Sequence, residues 1–196
     1  MMQERVRCFV ALELPESLQS KLEEVQRALG SGSRDPVKWV APFQIHITLK
    51  FLGNVDASKL TTIEDLLAEV GREARPFDLS VAHLGAFPNP RRPRVVWVGI
   101  EEGGEDLLRL QGGVEEALFT LGFSREQRPF SPHLTLGRVR ENASPSQIQE
   151  LSQRLSATAV PALGTTRVTS ITFMRSQLTP SGPIYSHIAV VPLGAE

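Results

Sequence analysis

The sequence predicts an α+β fold of two antiparallel sheets with helices packed outside them, and three observations point there. Runs with apolar residues at every second position are interleaved with runs of helical spacing. Several neighbouring strand candidates are joined by short turns, which suits antiparallel pairing. One pattern, Pro-(x)3-His-x-Thr-Leu, occurs twice, from Pro42 to Leu49 and from Pro129 to Leu136. That echo suggests two similar lobes facing each other across a groove. No linker long enough to separate independent domains is present, so residues 1–196 are expected to form one domain of two lobes, with one motif in each.

Taken in order, Arg5 to Leu14 reads as a strand closed by Pro15. Leu18, Leu22, Val25 and Leu29 give helical spacing from Glu16 to Leu29. The stretch from Gly30 to Pro36 reads as a Gly/Ser-rich loop, and Lys38 to Val40 as a short strand. From Gln44 to Leu52, strict alternation puts Ile45, Ile47, Leu49 and Phe51 on one face and His46, Thr48 and Lys50 on the other. Asp56 or Ser58 offers a cap for a helix whose inner face is Leu60, Ile63, Leu66, Leu67 and Val70. Phe77 to Leu84 and Arg94 to Ile100 read as strands around an exposed basic turn, Asn89 to Arg94. A helix from Gly104 to Leu121 ends at Gly122, and a strand runs from His133 to Val139. Ser144-Pro145 opens a helix to about Leu155. Thr166 to Arg175 and Ile184 to Val191 complete the strands, with a Pro/Gly turn between them at 179–183.

The formal charge is −1, so coating of nucleic acid through bulk positive charge is not expected, although a local basic groove is compatible with it. Arginine makes up most of the 21 basic residues. Its guanidinium grips phosphate with two parallel hydrogen bonds, which lysine cannot do. The one cysteine, Cys8, lies in an apolar run and reads as a buried structural thiol. The first ten residues lack a signal-peptide hydrophobic core, and no apolar stretch approaches the roughly 20 residues of a membrane span. A cytoplasmic protein without membrane contact is expected.

A His-x-Thr unit on a strand sets an imidazole and a hydroxyl on one face, roughly 7 Å apart. The imidazole moves protons near neutral pH, and the hydroxyl donates to anionic oxygens. Two such units, His46 with Thr48 and His133 with Thr135, supply a base, an acid and two donors. That set fits in-line displacement at phosphorus without a metal or a covalent enzyme intermediate.

These motifs give the chain a definite resemblance to the 2H phosphoesterase superfamily. More closely it resembles RNA 2′,3′-cyclic phosphodiesterases, also called 2′-5′ RNA ligases. The resemblance runs through Arg7 to Ala11, Trp39 to Pro42, His46 to Gly53, Pro93 to Gly99, Pro132 to Arg138 and Ser176 to Tyr185. It implies two lobes related by a pseudo-twofold with the site in the central groove. It also implies opening of RNA 2′,3′-cyclic phosphate ends to 2′-phosphates, with ATP-independent 2′-5′ joining in some relatives. By that resemblance His46 and His133 are catalytic, Thr48 and Thr135 bind phosphate, and Arg138 joins them. Strict alternation puts Arg138 on the face opposite His133, so its role requires an irregularity, which Gly137 would permit.

Phe9 is open to two readings, a surface for stacking a base and a core side chain. Lys50 shares the predicted face of His46 and is a candidate to steer phosphate, and Tyr185 is a candidate groove residue. The basic turn at Arg91, Arg92 and Arg94 reads as a solvated loop or a contact to an RNA backbone, and His83 and His187 read as structural. The expected partners are RNA carrying 2′,3′-cyclic phosphate ends, such as tRNA fragments, or small cyclic nucleotides, with no cofactor and no metal. A monomer is expected, because one chain supplies both motifs. Two competing readings stand beside this one, an RNA-end binding module without turnover and a metal hydrolase using the four histidines.

Overall fold

Residues 4–30, 35–180 and 182–194 are described in a computed structural model of the chain. Residues 31–34 of the Gly/Ser-rich stretch and Ser181 of the last turn lie outside the described residues. The elements are β1 (Arg5–Glu13), α1 (Glu16–Leu29), β2 (Val37–Trp39), β3 (His46–Asp56), α2 (Leu60–Glu73), β4 (Phe77–Phe87), β5 (Val95–Ile100), α3 (Gly104–Phe119), β6 (His133–Val139), α4 (Pro145–Ala157), β7 (Gly164–Val168), β8 (Ser170–Thr179) and β9 (Gly182–Pro192). Two of the expected caps form. The Asp56 carboxylate accepts from the Ser58 amide at 3.0 Å, closing a 3₁₀ turn just before α2. Ser144 and Gln147 form a reciprocal capping box at the start of α4.

The strands pair antiparallel in two sheets, one ordered β3-β1-β8-β9 and the other β2-β6-β5-β4-β7. Each sheet carries one His-x-Thr strand, β3 in the first and β6 in the second. The sheets interlace along the chain. The short β2 leaves the first half to pair with β6, and β8 and β9 return to flank β1. The stretch expected to be one strand from Thr166 to Arg175 is therefore two, β7 in one sheet and β8 in the other, broken at Thr169. Polar and apolar residues alternate through it without Gly or Pro, so no local signal marks the crossing. Beneath the sheets, α2 packs on β8 and β9, α3 on β3, and α4 on α1. The α1 side chain Gln26 donates to the carbonyls of Val40 and Leu136, tying that helix to the second motif strand. Cys8 is buried in the core as expected, and desolvation raises its thiol pKa to about 11.

Both motif strands break the two-residue period at the same place. In β3, Thr48 pairs with Ala11 and Lys50 with Val10, so Leu49 is an extra residue. In β6, Thr135 pairs with Trp97 and Gly137 with Val96, so Leu136 is extra. At such a bulge two successive residues turn to the same side and the alternation beyond it is inverted. Leu49 and Lys50 both point into the core, as do Leu136 and Gly137.

The expectation that Lys50 shares the face of His46 is corrected here. Lys50 is 3% exposed, while Phe51, assigned by strict alternation to the core, is 60% exposed. The Lys50 ammonium is bonded to Glu115 of α3 at 2.7 Å and to the carbonyl of Ser124 at 2.9 Å. The other Glu115 oxygen accepts from Gln111, and the amide of Glu126 donates to the one that holds Lys50. This network pins the segment after α3, which leads into β6. At the matching position of the second strand, Gly137 has no room for a side chain. A Cβ there would meet Val37 Cγ1 at 2.5 Å and Trp39 Cε3 at 2.9 Å.

Lys50→Ala is expected to destabilise the fold by about 3 kcal/mol, because it leaves the Glu115 carboxylate without its cation. The double substitution Lys50→Ala with Glu115→Ala should recover part of that loss. Urea denaturation of the three variants checks both expectations, and equal losses in the single and double variants would contradict the account.

Candidate active site

The face of the first sheet opposite the core is set by register. Glu13 pairs with His46, Ala11 with Thr48 and Phe9 with Phe51 on β1 and β3. Directly paired residues present their side chains on the same face, so these six side chains project together. Phe9, Ala11 and Met174 form a small buried cluster there, with Tyr185 packed against it. The His46 ring stacks on Phe9, with centroids 4.9 Å apart, and meets the edge of Tyr185 at 5.4 Å. Phe9 is buried and lies under the imidazole, so of its two readings the structure shows the packed one.

The His46 Nδ1 lies 2.8 Å from the carbonyl of Gln44, two residues earlier in the chain. A carbonyl only accepts, so Nδ1 carries the proton and Nε2 is left to exchange one. The second motif repeats the arrangement, with His133 Nδ1 donating to the carbonyl of Ser131 at 2.7 Å. The His133 ring meets the edge of Phe87 at 5.0 Å, and Phe87 lies 5.2 Å from the Trp97 ring. Trp97 pairs with Thr135 and therefore shares its face.

The expected irregularity before Arg138 is present, as the extra Leu136. Arg138 consequently returns to the face of His133 and Thr135, where it is exposed. Its charge reaches Tyr185 of the first sheet. Burial raises the Tyr185 phenol pKa, and the positive charges of Arg138 and Arg7 partly offset that rise. The strands β3 and β6 run close to each other where the sheets meet. Tyr185 is thus the point at which groups of both sheets interact.

Desolvation in the aromatic niche lowers the His46 pKa, and the hydrogen bond to Gln44 and the nearby Glu13 carboxylate oppose it. A cavity of about 300 Å³ opens beside this ring, lined among others by Glu13, Phe43, Met174, Tyr185 and His187. His187 donates from Nε2 to Glu13 at 2.9 Å, so it belongs to the rim of this cavity, a position the sequence did not suggest. His83 is exposed at a bulge in β4, with φ of 67°, away from these groups. The basic turn between β4 and β5 is exposed as expected, with the Asn89 side chain accepting from the amides of Arg91 and Arg92.

Sequence reasoning missed Glu13, Phe51, Phe87 and Trp97. Phe51 and Arg138 occupy the same position, five residues after their histidines, so the echo could have linked them once a bulge was admitted. Glu13, Phe87 and Trp97 reach the site through strand pairing, which leaves no local signal. Among the described residues, no three His, Cys, Asp or Glu side chains are grouped to hold a metal ion, and no helix is long and apolar enough to cross a membrane.

The model of the LigT-like phosphoesterase family matches the chain twice, over residues 12–97 and 98–185. A Methanothermobacter thermautotrophicus protein named RNA 2′,3′-cyclic phosphodiesterase is 39% identical, over 96% of this chain and 100% of its own length. One of the same name from Archaeoglobus fulgidus is 40% identical, over 94% of this chain and 99% of its own. Among solved structures, a Thermus thermophilus protein superposes with a TM-score of 0.80 at 29% identity, over 97% of this chain and 99% of its own. The E. coli LigT complexed with 3′-AMP superposes with a TM-score of 0.76 at 26% identity, with the same coverage.

Since burial beneath Tyr185 and over Phe9 disfavours the charged imidazole, His46 is expected to titrate below 6.5, its ordinary value. In Tyr185→Ala, water reaches the ring and the midpoint should rise toward that value. Proton NMR of the imidazole C2 resonance follows both, and a midpoint at or above 6.5 in the unsubstituted protein would contradict this reading.

Proposed function

The chain belongs to the LigT-like phosphoesterase family, and from that premise we propose that it hydrolyses RNA 2′,3′-cyclic phosphate ends to 2′-phosphates, with His46 and His133 moving the protons. The observation that carries this reading is the matched pair of motif strands. Each has its histidine fixed at Nδ1 by a backbone carbonyl two residues back, and each has an extra leucine after its threonine.

In the proposed reaction, water attacks phosphorus in line with the P–O3′ bond. Neutral imidazole at one Nε2 takes the water proton as the new P–O bond forms. The P–O3′ bond breaks, and the other imidazole, protonated at Nε2, gives its proton to O3′. The products are a 2′-phosphate and a free 3′-hydroxyl. Thr48, Thr135 and Arg138 hold the non-bridging oxygens as negative charge builds on them. Phe51, Tyr185 and Trp97 offer ring surfaces on which the terminal base stacks. A 5′-hydroxyl in place of water gives a 2′-5′ linkage by the same displacement, with the energy of the strained ring and no ATP. The relatives' shared name and the nucleotide bound by E. coli LigT support an RNA-end substrate. One chain supplies both motifs, so a monomer is sufficient for this chemistry.

His46→Ala and His133→Ala are each expected to lower kcat about 10³-fold on an RNA with a cyclic end, in a buffer containing a chelator. Arg138→Ala should lower it about 10²-fold by removing charge stabilisation of the phosphoryl oxygens. Chromatographic identification of the product tests the direction, and a 3′-phosphate would reverse which ribose oxygen leaves. The pH profile of kcat/KM should be bell-shaped, because one imidazole must be neutral and the other charged. Its acid limb should fall below the usual imidazole range, since the lowered His46 pKa sets it.

A further inference from the structure

We propose that Glu13 is a positioning residue for His46, a fixed carboxylate that steadies the positive charge His46 carries during proton transfer. The inference rests on the reading of His46 as a proton-transfer group, and three features of the first sheet carry it.

The first is register. Glu13 is the direct cross-strand partner of His46, so both side chains leave the same face of adjacent strands. The second is a shared cavity, the one of about 300 Å³ that both residues line together with Tyr185 and His187. The third is the way the carboxylate is held. One oxygen accepts from His187 Nε2 at 2.9 Å and the other from Thr172 Oγ1 at 3.1 Å. A glutamate at the end of a strand ordinarily turns to water and is worth little to a neighbour. Here donors on β8 and β9 clamp both of its oxygens, which keeps the charge beside the cavity. A charge already in place requires no rearrangement when the imidazole changes state.

The other groups around His46 do not supply this. From β9, Tyr185 presents a ring edge, and His187 is turned to Glu13. From β1, Phe9 presents a ring face, and Arg7 acts on Tyr185. From β6, Arg138 also acts on Tyr185, and its charge opposes a cation at His46. Preceding β3, Gln44 offers a neutral carbonyl to Nδ1. Glu13 is the anion acting on the ring among the described residues. Because Nδ1 is held by Gln44, the carboxylate works through space and leaves Nε2 free.

The test is Glu13→Gln, which keeps the shape and one acceptor for Thr172 but removes the charge. Loss of the anion disfavours the imidazolium, so the His46 midpoint measured by NMR should fall by about half a unit. The acid limb of kcat/KM should move to lower pH by the same amount. Glu13→Asp keeps the charge on a shorter arm and should give a midpoint between the two. If the Gln variant does not fold, the Asp variant alone decides, through a midpoint below that of the unsubstituted protein. An unchanged His46 midpoint would overturn the proposal, even if activity fell, because that outcome describes a merely structural glutamate. The titration needs no substrate. A chain without phosphodiesterase activity would refute the proposed function while the Glu13 proposal was still decided by NMR.

Discussion

One extra leucine in each motif strand governs much of this molecule. A regular strand would send residues 46, 48, 50 and 52 to the groove and bury 51. The bulge at Leu49 sends Lys50 inward and Phe51 out instead. The same step at Leu136 turns Gly137 inward and Arg138 out. The inward residues then meet different neighbours. Lys50 is long enough to reach Glu115 and anchor the segment after α3. Gly137 has no side chain because β2 lies against it. One backbone irregularity thus both shapes the groove and joins it to the surrounding packing.

The two histidines share a local structure but have different surroundings. Each is fixed at Nδ1 by a carbonyl two residues earlier. His46 then lies in a niche of Phe9 and Tyr185 with a carboxylate opposite. His133 meets the edge of Phe87. Acid/base chemistry with two imidazoles needs them in different protonation states at one pH. Identical motifs do not provide that difference. Here it arises from what the neighbouring strands place around His46, with desolvation lowering its proton affinity and Glu13 restoring part of it.

Interlacing of the sheets gives the site its rigidity. The strand β1 forms the floor beneath His46 and is itself held between β3 and β8. The strand β2 crosses to the edge of β6 and carries Trp39 and Val37 against Gly137. Both sheets contribute to one continuous apolar core. Displacing one motif strand relative to the other would therefore disturb packing on both sides, which suits a site whose acid and base must hold a fixed separation.

The sequence by itself determined the helices, most of the strands and the paired His-x-Thr units. Those features repeat every two or four residues, or are capped by residues next to them, as at Ser144 and Gly122. It also required an irregularity beside Arg138, because parity forbids that residue the face of His133 in a regular strand. It placed Lys50 and Phe51 on the wrong faces, since a run of Leu-Lys-Phe-Leu contains nothing that marks the residue a partner strand will leave unpaired. The break at Thr169 was hidden for the same reason. Glu13, Phe87 and Trp97 came to the site only through pairing between distant segments. Register and sheet membership are settled by which neighbour each strand finds. That choice depends on contacts far apart in the chain, so only the tertiary structure decided which side chains surround each histidine.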